Sequence, residues 1–163
     1  MKFPVQRHLP RRRGGHTTSV IIDGERLHIT ASQRADGTLG EVFVRWGKQG
    51  SSTSGLLDSY TMALSAGLLH HVPLAELLRP GLDLLFTPNG HTDDPEIPRA
   101  RSVVDYLARR LAIDWLPYPD RAALGVYTLT ERVAHAGPWL STQDPANGVR
   151  WELATGIGVA TQR

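Results

Sequence analysis

Cysteine is absent from all 163 residues. That excludes a disulfide framework, a zinc–thiolate site and a cysteine nucleophile. Long hydrophobic runs are missing too, since no stretch approaches the ~18 apolar residues of a membrane-spanning helix. The opening residues MKFPVQRHLPRRRGG carry charge but no apolar segment, so they do not read as a secretory signal. No H-E-x-x-H or paired-histidine spacing occurs, and no G-x-S-x-G elbow. His70 and His71 are adjacent, so on a helix they diverge by about 100° and would chelate poorly. From these absences the expectation is a soluble, cytoplasmic chain without membrane contact, metal, cofactor or catalytic residues of its own.

What is present is enough for a core. About 40% of the residues are hydrophobic, adequate for one domain of this size. The net charge is only +2, but it is uneven, with Arg7, His8, Arg11, Arg12, Arg13 and His16 crowding the N-terminus. Such an arm can touch nucleic acid through Arg11, Arg12 and Arg13. It can equally be a solvated tail, because no aromatic residues alternate with the charges.

The pattern predicts an α+β fold: a small antiparallel sheet packed against two long helices, with a C-terminal extension. Strands are expected at Thr17–Asp23, Arg26–Ser32 and Glu41–Trp46, where apolar residues alternate. Asp23-Gly24 and the stretch QRADGT supply the turns. From Gly55 the period becomes helical, over about residues 53–71. Leu56, Tyr60, Ala63 and Gly67 form one stripe, and Leu57, Leu64 and Leu68 lie beside it. A short helix follows at Pro73–Leu78, then a strand-like LDLLF and a turn-rich loop. The second long helix is expected over Arg99–Leu116, burying Ala100, Val103, Val104, Leu107, Leu111 and Trp115. Asp93 and Asp94 would cap it, Asp105 and Arg109 would pair at i,i+4 on its flank, and Arg109 and Arg110 would form a solvated face. Thr128–Glu131 reads as a capping box for a helix closed by Gly137, and Asn147-Gly148 as a hairpin turn between Trp139 and Leu153. Three segments result: a basic, flexible arm over 1–16, a domain over 17–116 and an extension over 117–163.

The loop from Gly47 to Ser54 is the most suggestive local feature. It joins a strand to a helix, and free amides at a helix N-terminus favour an anion. Lys48 precedes Gly50, so this is no Walker A motif. Lys48 could supply charge, Gly50 a close backbone approach, and Ser51, Ser52, Thr53 and Ser54 hydroxyl and amide donors. Arg99 and Arg101 could close such a site from the other side. The alternative is that the hydroxyl cluster simply caps the helix, Ser52, Thr53 and Ser54 all being suited to the N-cap.

Three separated blocks resemble a known family. They are RRRGGHTTSVIIDGERLHIT, GEVFVRWGKQGSSTSGLLDSYTMALSAGLLHHVPL and FTPNGHTDDPEIPRARSVVDYLARRLAIDWL. Together they are similar to the TSCPD-type domain near the C-terminus of vitamin B12-dependent (class II) ribonucleotide reductases. The resemblance covers roughly Arg11 to Leu116. At the family's T-S-C-P-D position stands RSVVD, with Ser102 and Asp105 retained and Val103 in place of cysteine. Ribonucleotide reduction needs a thiyl radical and a cysteine pair, and this chain has neither.

The resemblance therefore implies a place in deoxyribonucleotide metabolism and DNA-precursor synthesis without implying the reaction. The expected function is that of a free-standing, non-catalytic reductase-type accessory domain. It would bind a nucleotide or a protein partner such as a ribonucleotide reductase. The alternative is a nucleic-acid-binding module that uses the basic arm. Association into a homo-oligomer stays open.

Overall fold

In a computed structural model, residues 9–48, 50–136, 150–154 and 157–161 are described. They form two units, one running to Thr128 and the other from Leu129. The first opens with three antiparallel strands in the order β1 (Gly15–Ile22), β2 (Glu25–Gln33) and β3 (Leu39–Trp46). The β1–β2 turn is made by Asp23 at φ 49° and Gly24 at φ 84°. Two successive positive φ values match the right-handed twist of the flanking strands. In the β2–β3 turn, one Asp36 carboxylate oxygen accepts from the Thr38 amide (3.0 Å) and hydroxyl (2.7 Å).

Alternation sorts the sheet into two faces. Val20, Ile22, Leu27, Ile29, Ala31, Val42 and Val44 are buried, whereas Ser19, Arg26, His28, Phe43 and Arg45 are exposed on the other side. The inner face joins α1 (Ser52–Leu69) and α3 (Val103–Trp115) in one hydrophobic core. The expected α+β architecture of a small antiparallel sheet with two long helices is thus observed.

Several expectations about these elements need correction. On α1 the buried residues are Leu57, Thr61, Leu64 and Leu68, while Leu56 is 73% exposed. Both stripes are apolar, so periodicity could not choose between them. The helix is oriented by Ser65, whose hydroxyl accepts the Val42 amide of β3 at 3.0 Å. Thr61 can be buried there because its hydroxyl donates to the Asp58 carbonyl, 3.0 Å away. The helix ends beside Arg34, whose guanidinium donates to the Leu68 carbonyl.

After α1 come α2 (Leu74–Leu78) and a 3-10 turn (Arg79–Gly81). Gly67 admits α2 closely, since a Cβ there would lie 2.6 Å from a Leu77 methyl. The LDLLF segment is not a strand. Asp83 adopts φ 60°, and Leu84, Leu85 and Phe86 are left exposed. The second long helix begins four residues later than expected. Arg99–Ala100 is instead β5, paired with β4 (Gly90–His91). Ser102 is the N-cap, its hydroxyl accepting the Asp105 amide at 3.0 Å.

Asp93 and Asp94 cap no helix. Asp93 extends the edge of β1, accepting the Ile21 amide at 2.7 Å. Asp94 accepts from the Tyr106 hydroxyl at 2.6 Å and from Arg110 at 3.2 Å. Arg110 is therefore no solvated residue: its side chain is 14% exposed and also pairs with Asp114. Burial opposes ionisation of Asp94, but the Tyr106 hydroxyl, the Glu96 amide and Arg110 outweigh it and hold the carboxyl below its usual range. Burial and the Asp94 hydrogen bond push the Tyr106 phenol up.

Pro117 ends α3 and opens α4 (Tyr118–Ala123), which the sequence pattern did not disclose. The second unit holds α5 (Leu129–Ala136) and a hairpin of β6 (Arg150–Ala154) and β7 (Ile157–Thr161). Gly137, Trp139 and Asn147-Gly148 lie outside the described residues. Leu153 pairs with Gly158, further along the chain.

Candidate functional site

The loop before α1 is built for a tight reversal. Gly47 and Gly50 adopt φ 68° and 83°, a region that costs glycine little. Ser51 is the N-cap, its hydroxyl accepting the Ser54 amide at 3.2 Å. The expected capping is therefore present, but one residue earlier than the candidates Ser52, Thr53 and Ser54, which lie inside the helix. Ser52 and Thr53 form the first turn of α1. Both residues line a cleft of about 350 Å³.

That cleft is largely apolar. Trp46 of β3, Leu56 and Tyr60 of α1, Leu84, Phe86 and Val103 form much of its wall. The strongly exposed Leu56 thus has a reason to be apolar. Gly81 also lines the cleft, and a Cβ there would meet Val104 at 3.0 Å and the Tyr60 hydroxyl at 3.1 Å. Burial pushes the Tyr60 phenol up.

The Leu84–Phe86 wall is tied to α3 through Asp105, whose side chain is 1% exposed. One Asp105 oxygen accepts the Asp83 amide (2.7 Å) and Arg109 Nε (2.9 Å). The other accepts the Arg101 amide at 3.0 Å. Arg109 also reaches the Asp83 carboxylate at 2.8 Å. The expected i,i+4 pair of Asp105 and Arg109 is thus present, but Arg109 is no merely solvated residue and helps clamp the turn at the cleft. Phe86 then donates its amide to the Arg101 carbonyl at 3.2 Å.

Among the expected site residues, Ser52 and Thr53 border the cleft. Lys48, Gly50, Ser51 and Ser54 sit in the adjoining loop and first turn, outside its lining. Arg99 and Arg101 are exposed around β5 and are not part of the lining, and Arg101 stands 3.9 Å from Asp83. In the arm, Arg11 and Arg12 are exposed, and Arg13 pairs with Glu41. Sequence reasoning missed Leu84 and Phe86. Their signal was the apolar run LDLLF, which reads as strand-like but forms no strand.

Among the described residues no group of three or more His, Asp or Glu side chains could hold a metal, and no helix is long and apolar enough to cross a membrane. A model of the TSCPD domain matches residues 2–114.

The chain belongs to the TSCPD domain family.

This TSCPD chain is 43% identical over 132 residues to the vitamin B12-dependent ribonucleotide reductases of Streptomyces avermitilis and Streptomyces coelicolor. The match covers 81% of the TSCPD chain and 14% of each reductase. Identity to the enzyme so named in Rhodopirellula baltica is 35% over 117 residues, 72% of this chain and 11% of that one. The TSCPD chain thus spans a small part of the curated relatives it matches. No solved structure matches it. Ser102 and Asp105, retained from the family motif, prove to be the cap and the clamp of α3. Val103, at the motif's cysteine position, lines the cleft.

Proposed function

We propose that this TSCPD chain is a non-catalytic accessory domain of ribonucleotide-reductase type, working in DNA-precursor synthesis by docking onto a protein partner through the apolar cleft. The observation that carries the reading is the cleft itself. Leu56, Leu84 and Phe86 are 73%, 45% and 37% exposed around one concavity. Apolar anchors converging on a pocket are the usual centre of a protein interface. The relatives, which are named as vitamin B12-dependent ribonucleotide reductases, make such a reductase the partner to try first.

The test is titration of a purified vitamin B12-dependent reductase with this chain, followed by sedimentation velocity. A complex is expected, and Leu56→Asp should weaken it tenfold or more while leaving the melting temperature nearly unchanged. Equal binding by the variant, or no complex with the parent chain, would remove the proposal. The same runs report self-association.

A second reading is favoured by Ser52 and Thr53, which open α1 and line the cleft. The start of a helix suits the phosphate of a nucleotide. Lys48 would add charge, Gly50 close approach, and Ser51 and Ser54 the surrounding donors. Arg99 and Arg101 would close the site, Arg101 exchanging Asp83 for the ligand. A thermal-shift screen against nucleotides checks this. Lys48→Ala should weaken a bound nucleotide by about 1–3 kcal/mol. If no nucleotide shifts the melting temperature, the loop is a helix cap.

A further inference from the structure

A second concavity of about 720 Å³ lies on the outward face of the three-stranded sheet, separate in chemistry from the apolar cleft. Its floor is Arg26, His28 and Thr30 of β2 with Phe43 and Arg45 of β3. Register places His28 opposite Arg45 and Thr30 opposite Phe43. Phe43 is 47% exposed although it stands in the middle of a strand. Phe43 and Arg45 rise from the sheet two residues apart, roughly 6.6 Å along the strand. Asp58 of α1 is the acidic residue in the lining, on the wall beside β3.

Neither Arg26 nor Arg45 has a carboxylate partner among the described residues. Arg26 makes one long contact, donating to Ser19 Oγ at 3.3 Å. This contrasts with Arg109 and Arg110, which are each held by two carboxylates. At the far end of β3, Glu41 pairs with Arg13, so the basic arm joins the same face. Gly47 and Ser54 line the rim and bring Lys48 next to it.

We propose that this sheet face is a platform for single-stranded nucleic acid, with Phe43 stacking on a base and Arg45 and then Arg26 holding the phosphates that run on from it to one side. An exposed ring beside two cations that have no carboxylate partner among the described residues answers both halves of a nucleotide chain: the base offers a π-face and the backbone a charge. A duplex hides its bases from such a ring. An anionic protein surface or a lipid headgroup would use the arginines and leave Phe43 without a role.

The experiment is fluorescence anisotropy with a labelled oligothymidylate and the same length of duplex, using the full chain. The single strand should bind more tightly than the duplex. With Arg26, Arg45 and Lys48 each neutralising one phosphate, binding should weaken about twentyfold between roughly 50 and 200 mM salt. Phe43→Ala should weaken binding at least about fivefold, and Arg26→Glu with Arg45→Glu more than tenfold, each with an unchanged circular dichroism spectrum. Leu56→Asp, which blocks the apolar cleft, should leave the oligonucleotide bound, so failure here and failure of the docking reading are separable. Three outcomes would overturn the inference: binding equal for duplex and single strand, binding that follows Arg11→Ala with Arg12→Ala but ignores the sheet variants, or displacement by inorganic phosphate at matched phosphate concentration.

Discussion

Replacing Asp105 by alanine should be among the most damaging single changes in this chain. The carboxylate is 1% exposed and receives three hydrogen bonds, from the amides of Asp83 and Arg101 and from Arg109 Nε. Alanine leaves two amides without an acceptor, each costing about 1–3 kcal/mol where water cannot reach it. It also deprives Arg109 of its more buried partner, although Asp83 still holds the guanidinium at 2.8 Å. Breaking a buried pair from one side costs about 3–5 kcal/mol, and that range is expected for the whole substitution, because the separate losses overlap. Asp105→Asn preserves the shape but turns an NH2 group toward an N–H donor, for an expected loss of roughly 2–3 kcal/mol. Urea unfolding followed by circular dichroism reads both. A loss of ~4 kcal/mol with a slope near 2 kcal/mol/M moves the midpoint by about 2 M. Hydrogen exchange should accelerate first at Asp83–Phe86, the turn that Asp105 holds against α3. If Asp105→Ala lost less than ~1 kcal/mol, an ordinary value for an arbitrary substitution, the clamp would be geometry without energetic weight.

Other expectations follow from the same contacts. Leu64→Ala and Leu107→Ala, at residues 4% and 1% exposed, should each cost about 2–5 kcal/mol in urea unfolding; values under ~0.5 kcal/mol would mean that the buried faces are misassigned. The Asp94 carboxyl is held below its usual range in the fold, so its contribution is present above the unfolded value near 3.9 and is lost as pH falls through the lower folded value. The acid limb of stability against pH should therefore be shallower in Asp94→Asn than in the parent chain; an identical limb would count against that role. With no cysteine in its sequence, the purified chain should form no deoxyribonucleotides from ribonucleotides and a chemical reductant, with or without cobalamin, as chromatography of the products would show.

How much was legible in the sequence depended on how far each signal had to reach. Asp23-Gly24 named its own turn, because two residues that tolerate positive φ are a local property. Alternation placed Leu27, Ile29, Val42 and Val44 on the inner face, since neighbouring side chains on a strand must point oppositely. Hydroxyls before an apolar helix announced a cap, although Ser51 fills it rather than Ser52, Thr53 or Ser54, and the three blocks in order announced the family. The start of α3 was misread for the opposite reason: Ala100 continues the helical spacing, but pairing with Gly90 draws it into β5.

Tertiary structure decided which of two apolar stripes on α1 faces inward, through a Ser65 hydroxyl that meets Val42, distant in sequence. It decided that Asp94, Tyr106 and Arg110 form one buried-edge network where the sequence suggested a cap and a solvated face. It also left Leu84 and Phe86 outside, because Asp83 turns the chain away under the hold of Asp105 and Arg109. Composition and periodicity name what a residue can bury or donate. Which partner it meets depends on segments that only chain folding brings together, and both the apolar cleft and the basic sheet face are assembled from such segments.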